Sequence, residues 1–227
     1  MSIVSRQDWI SALPDAARQA VEAAMRIEDA PRGARITETG GPAVAIHRLR
    51  TGMVKLTGCY ADGREALVTI YAPGAVFSET ALVADRPYAH TKVAAVASQV
   101  EVLDRSAFQR LYAEWPAIPE ALCRKFAASI ARQFESREQR DTRSLRARVA
   151  LALCDLGDAF GEPDGDASRV YAPLSQEELG SHLGVTRQSV QKEVTALRRA
   201  GLLAKHDGLW ILQDPGRLRR FAESAPA

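Results

Sequence analysis

Cysteine is scarce: the 227 residues include three, Cys59, Cys123 and Cys154, far apart and never in Cys-x-x-Cys spacing. An odd, dispersed set excludes a disulfide framework and a sequence-local zinc or iron–sulfur cluster, and suits reduced thiols in a cytosol. No apolar run approaches the roughly 18 residues of a membrane span. The amino terminus carries Arg6 and Asp8 with no apolar core or cleavage site behind them, which argues against secretion. The expected location is cytoplasmic, with no membrane partner. Net charge is nearly lacking too, at +2. Residues 1–117 hold 13 basic and 13 acidic side chains, and residues 118–227 hold 17 and 15. A polyanion would therefore be met by one local element, not by the whole surface. What is there, 46% hydrophobic and 26% charged residues over this length, fits a folded protein of about two domains.

Glycine is unevenly spread, with seven between Gly33 and Gly74 and none from Ala75 to Leu156. The glycine-rich stretch alternates apolar and polar residues: Val44 and Ile46, then Val54, Leu56 and Tyr60, then Leu67, Thr69 and Tyr71. Asp62-Gly63 between the last two runs supplies the positive φ angles of a tight hairpin. Short strands joined by glycine turns predict a β-sandwich or jelly roll reaching to about Leu103. Ahead of it, alanine-rich Trp9 to Met25 predicts a helix. The glycine-free stretch predicts a long helix from Pro119 to about Arg143, with Ile118, Leu122, Phe126, Ile130 and Phe134 at i+4 steps. Each such step drifts about 40° around the axis, so the apolar face is broad, as for a helix packed on its own barrel and on a partner helix. Self-association is the favoured reading over packing within one chain. A second helix carries Leu145, Val149, Leu153 and Leu156, and is expected to end at Gly157 before a polar surface loop, Gly161 to Asp166.

The strongest signal begins at Leu174. Ser175 followed by Glu178 is a capping box that opens a helix with apolar Leu179 and Leu183. Gly184 offers a left-handed turn, Thr186 caps a second helix with Val190, Val194 and Leu197 inward, and Gly201 ends it. Two short helices, a glycine turn and a shared apolar corner predict a helix-turn-helix. Its second helix turns Arg187, Gln188, Gln191, Lys192 and Thr195 outward, and residues 186–200 hold four basic side chains against one acidic. Arginine can take both guanine acceptors in a major groove, glutamine can pair with adenine, and lysine can reach guanine or phosphate. Thr186 and Ser189 join this surface, while Arg198 and Arg199 suit phosphates, which position without specifying. Leu202 to Leu212, turning at Asp207-Gly208, predicts a hairpin wing with Lys205 and His206 near the DNA backbone and Trp210 as a core anchor. A solvated charged face is the bland alternative, and the agreement of cap, turn and polar face argues against it.

With these motifs the chain resembles the Crp/Fnr superfamily of bacterial transcription regulators. The matching stretches are Arg32-Gly33-x-x-Ile36, Gly52-Met53-Val54-Lys55-Leu56, Asp62-Gly63-Arg64-Glu65, Pro73-Gly74-x-x-Phe77-x-Glu79 and the winged helix. The resemblance implies an α+β architecture in three parts. These are a cyclic-nucleotide-binding-like jelly roll over residues 1–116, a dimerisation helix over 117–143 and a winged helix-turn-helix over 144–227. It further implies a homodimer on a near-palindromic double-stranded DNA operator, acting by contact with or obstruction of RNA polymerase. Base-reading positions fall at Arg187, Gln188, Gln191 and Lys192. Cyclic-AMP-type members usually show arginine, glutamate and arginine at the first, second and last, and only the first is kept.

The effector pocket implied by the resemblance comprises Gly74, Ser78, Glu79, Arg86, Tyr88 and Gln133. Glu79 is kept where the family glutamate holds ribose, but Ser78 stands where glycine allows close backbone approach. Tyr88-Ala89-His90 replaces the Arg-Ser/Thr-Ala that holds the cyclic phosphate, and nearby Arg86 precedes Pro87, which has no amide to donate. Gln133 and Phe134 stand where small hydroxyl residues receive the purine. A cyclic phosphate without its arginine would be poorly compensated, so conventional cyclic-AMP control is not expected. Neither an iron–sulfur cluster nor haem is expected: the first cysteine is Cys59, and His47 and His90 are axial candidates by residue type alone. Cys123, beside Arg124 and Lys125, is read as structural in preference to a thiol sensor. The sequence does not identify a small-molecule effector. One rival is a cyclic-nucleotide regulator with a rearranged pocket using Glu79 and Arg86. Another is a cupin-type enzyme fused to a winged helix. That enzyme needs clustered ligands, and the four histidines, His47, His90, His182 and His206, are scattered, so no enzymatic activity is expected.

Overall fold

The computed structural model describes residues 2–59, 65–170, 172–206 and 209–224. The expected Asp62-Gly63 hairpin and the wing tip Asp207-Gly208 lie outside these residues. The chain begins β1 (Val4–Ser5), α1 (Asp15–Ala23), β2 (Arg26–Ala30), β3 (Arg35–Thr37), β4 (Ala45–Thr51), β5 (Val54–Cys59) and β6 (Glu65–Tyr71). It continues β7 (Val76–Phe77), α2 (Glu79–Val83), β8 (Thr91–Ala94), β9 (Ser98–Asp104), α3 (Arg105–Glu114) and α4 (Ala117–Thr142). The remainder is α5 (Leu145–Phe160), β10 (Gly161–Asp164), β11 (Ala167–Val170), α6 (Gln176–Leu183), α7 (Arg187–Arg199), β12 (Leu203–His206), β13 (Leu209–Leu212) and α8 (Pro215–Ser224). Two compact units result, Ser5–Glu65 with Ile70–Ala131, and Met1–Val4 with Ala66–Thr69 and Arg132–Ala227, so the division falls within α4.

In the first unit β5-β8-β3 lie side by side in one sheet and β2-β9-β4-β7 in another, the architecture expected of a β-sandwich or jelly roll. Alternation along the strands turns Ala45, Leu49, Val54, Phe77, Val100 and Val102 inward to one apolar cluster. A second cluster gathers Trp9, Ile10, Val21, Phe108, Leu111, Ile118 and Leu122 from the helices and the segment ahead of them. The helix expected from Trp9 starts only at Asp15. Asp8 Oδ1 accepts from the amides of Ile10 (2.9 Å) and Ser11 (3.1 Å), fixing a turn where alanine content had suggested helix.

Along α4 the apolar face splits. Ile118 and Leu122 are buried, Phe126 packs partly against the second cluster, and Ile130 and Phe134 stand 55% and 70% exposed.

In the second unit α5 is the central helix, with Ala147, Val149, Ala150, Leu153 and Leu156 buried. It does not end at Gly157 but runs to Phe160. A Cβ at Gly157 would lie 2.6 Å from Leu212 Cδ1, so this glycine permits close packing against β13. The segment expected as a polar loop is a hairpin: β10 pairs β11 from Gly161↔Val170 to Asp164↔Ala167, with Gly165 at φ +62° in the turn. The wing strands join it in a four-stranded sheet of order β10-β11-β13-β12. Trp210 is fully buried, as its reading as a core anchor requires.

Candidate nucleic-acid interface and barrel interior

The α6–turn–α7 motif is built by local chemistry. Ser175 Oγ accepts from the Glu178 amide (3.1 Å) and Glu178 Oε2 from the Ser175 amide (2.8 Å), closing the capping box. Gly184 takes φ +70°, a left-handed conformation that L side chains adopt only at a steric cost, and turns the chain. Thr186 Oγ1 accepts from the Ser189 amide (3.2 Å) and starts α7. Val190, Val194 and Leu197 are buried. Thr186, Arg187, Gln188, Gln191, Lys192, Thr195, Arg198 and Arg199 are all exposed, and Ser189 is half-buried. The inward and outward faces of α7 are therefore those predicted.

Two open clefts flank the C-terminal half of this helix. One is lined by Thr195, Arg198, Arg199, Leu203 and Gln213, the other by Arg146, Gln191, Lys192, Thr195 and Arg199. Both carry cationic rims that suit phosphates. Lys205 lies on β12 opposite Trp210, while its side chain lies outside what is described. Sequence reasoning missed the supports of α7. Glu193, its one acidic residue, is buried and accepts from Arg146 Nε of α5 (2.7 Å), and Arg148 donates to the Leu183 carbonyl at the end of α6. A lone acid on the inward side of a basic helix was the available signal for this tie.

Few of the pocket residues implied by resemblance meet inside the barrel. Glu79 and Ser78 are buried there, Ser78 at φ +81°. Glu79 is ion-paired with Lys125 of α4, both nearly inaccessible, and Lys125 Nζ also donates to the Val76 carbonyl (2.5 Å). Tyr88 is buried but committed to β4: its hydroxyl donates to the Ala45 carbonyl (2.9 Å) and accepts from the Val44 and Ala45 amides (3.1 Å each). Gly74 occupies a turn at φ +90°, its amide donating to the Leu49 carbonyl (2.7 Å). Arg86 is exposed in the first unit, and Gln133 is exposed in the second. The interior instead holds a stack of His47, Phe77 and Tyr71, with His47–Phe77 and Tyr71–Phe77 centroids 5.5 and 4.6 Å apart. His47 Nδ1 lies 3.3 Å from Ser78 Oγ. Burial, with the Lys92 charge as a lesser cause, pushes His47 down to about 3, so the ring is neutral near pH 7. Lys92, also inside, is pushed down to about 8 by burial.

The description of a Crp-like helix-turn-helix domain matches residues 147–221, and that of a cyclic nucleotide-binding domain matches residues 27–114. The chain is 33% identical to the transcriptional regulator LdrP of Thermus thermophilus over 82% of this chain and 91% of that protein. It is 27% identical to the CRP-like cAMP-activated global transcriptional regulator of Mycobacterium tuberculosis over 97% of this chain and 98% of that one. Among solved structures, a CRP-family transcriptional regulator of Thermus thermophilus superposes with a TM-score of 0.72 at 28% identity, covering 88% of this chain and 98% of that one. These relatives are regulators and not enzymes by name. No helix among the described residues is long and apolar enough to cross a membrane.

Proposed function

This chain belongs to the Crp/Fnr superfamily of DNA-binding transcription regulators, and from that premise we propose that it acts as a homodimer on a near-palindromic operator. The observation that carries the reading is the outward polar face of α7 above buried Val190, Val194 and Leu197. In this proposal Arg187, Gln188, Gln191 and Lys192 read base edges. Thr186, Ser189, Thr195, Arg198, Arg199 and Lys205 hold the backbone. Regulation works by contact with RNA polymerase or by obstructing it. Arg187→Ala is expected to cost about 1–3 kcal/mol on the operator and to relax preference at one position. Fluorescence anisotropy on a set of single-base operator variants checks this. An equal loss on every sequence would make Arg187 a phosphate contact.

The homodimer reading is supported by Ile130 and Phe134, large apolar side chains one helical turn apart and left exposed on α4. The helix spans 26 residues, about 39 Å, enough to run a long seam against a second copy. Phe134→Glu is expected to shift sedimentation from dimer to monomer and to shrink the footprint from two half-sites, about 34 Å apart, to one. A variant that sediments like the parent protein contradicts the seam.

Conventional cyclic-AMP control forms no part of the proposal. The barrel glutamate is already engaged by Lys125, and Arg86, the rival phosphate anchor, is exposed.

A further inference from the structure

Among the described residues two buried ammonium groups lie at the barrel, and one of them is ion-paired with a carboxylate. Lys125 takes the Glu79 carboxylate. Lys92 is 5% exposed, on the inward side of β8 together with Ala94. Its contacts are different in kind: Nζ donates to Thr37 Oγ1 (3.3 Å) and lies 5.3 Å from the centroid of the Tyr88 ring. Among the described residues no carboxylate lies within ion-pairing distance of it. A hydroxyl and a ring face compensate a buried cation poorly, because neither carries a full negative charge, and the Glu79 carboxylate, already paired with Lys125, acts on Lys92 only from beyond ion-pairing distance. The group still holds its proton near neutrality, with a value of about 8. Its field also reaches the neighbouring rings, lowering both His47 and His90 behind the larger effect of burial.

We propose that Lys92 and the Thr37 hydroxyl form the seat of a small anionic ligand, a carboxylate or phosphate group, inside the barrel. The ammonium supplies charge and donors, and the Thr37 hydroxyl, which accepts from it and donates to the His90 carbonyl (3.2 Å), holds it in place, the two brought together from strands β8 and β3, which pair at Thr37↔Lys92. A charge-assisted hydrogen bond from a nearly dry ammonium is stronger and more selective than one at the surface. This seat differs from the one implied by family resemblance, whose arginine position is taken by Tyr88 and closed by its bonds to β4. The inference rests on the reading that the barrel has left cyclic-AMP control, and the experiment separates the two.

Thermal unfolding of the full chain is followed at pH 7 in sodium phosphate, sodium succinate or cyclic AMP, each against sodium chloride of equal ionic strength. Phosphate or succinate at saturating concentration is expected to raise the midpoint by roughly 3 °C or more. The phosphate and succinate arms identify which anion is preferred. The rise should vanish in Lys92→Met and fall by at least half in Thr37→Val, which also decides the matter if Lys92→Met does not fold. It should persist in Arg198→Ala/Arg199→Ala, which removes surface cations that also attract anions. No rise with either anion, or a rise unchanged in the Lys92 and Thr37 variants, overturns the proposal. A cyclic-AMP rise lost in Lys92→Met supports the seat while overturning cyclic-AMP independence. A cyclic-AMP rise lost in Glu79→Gln but kept in Lys92→Met overturns both.

Discussion

Lys125→Met is expected to destabilise the protein by about 3–5 kcal/mol, read as a lowered urea midpoint at pH 7. The size follows from where the pair sits. The side chains of Glu79 and Lys125 are 3% and 9% exposed, so removing the ammonium strands a carboxylate that water cannot reach. The Val76 carbonyl loses a donor at the same time. The pair as a whole is worth far less than its breakage costs, since burying two charges offsets most of their attraction. Hence Lys125→Met combined with Glu79→Leu should recover most of the loss. The double-mutant cycle therefore separates the cost of an orphaned charge from the value of the ion pair. A single substitution costing under about 1 kcal/mol would place the pair in solvent, where such bridges are weak. The pair also ties α2 to the first half of α4.

How far the sequence could carry these conclusions depended on the range of the forces involved. The α6–turn–α7 motif was legible because each device is local: Ser175 with Glu178, Gly184 at positive φ, Thr186 with Ser189. The two partners of each cap lie three residues apart, so pattern and structure coincide. Where tertiary contacts decide, local rules failed. Gly157 reads as a stop, yet the helix passes through it because Leu212 fills the space a side chain would need. The stretch from Gly161 to Asp166 reads as loop, yet it folds as a hairpin whose second strand pairs with β13. At the amino end the carboxylate of Asp8 competes for the amides that a helix from Trp9 would have used.

The barrel interior was the least legible, because family resemblance directs attention to Arg86 and Gln133, which are exposed. Its actual cations had a weak signal of their own. Lys92 shares the inward phase of a period-two strand with Ala94, and Lys125 lies three residues beyond buried Leu122 on the same helix. A lysine in the phase of the core is improbable as a solvated charge and invites a search for its counter-ion.

Acid should expose the other buried group. His47 is neutral in the fold, with its pKa lowered from 6.5 to about 3, first by burial and then by the Lys92 charge. The unfolded chain therefore binds a proton that the folded chain refuses between those values. Stability contributed by the neutral ring is fully present above pH 6.5 and is lost as pH falls toward 3, by about 5 kcal/mol in the limit. Urea midpoints at pH 7, 6, 5 and 4 should fall steeply in the parent protein and less steeply in His47→Phe, which keeps the stack on Phe77 but cannot titrate. Parallel slopes would mean that the imidazole charges freely in the fold and that the interior is wet. The same measurement bears on the anion seat. A carboxylate or phosphate beside Lys92 would cancel part of the field that opposes protonation of His47, so its presence should soften the acid slope. That softening should disappear in Lys92→Met, whose His47 already lacks the neighbouring charge.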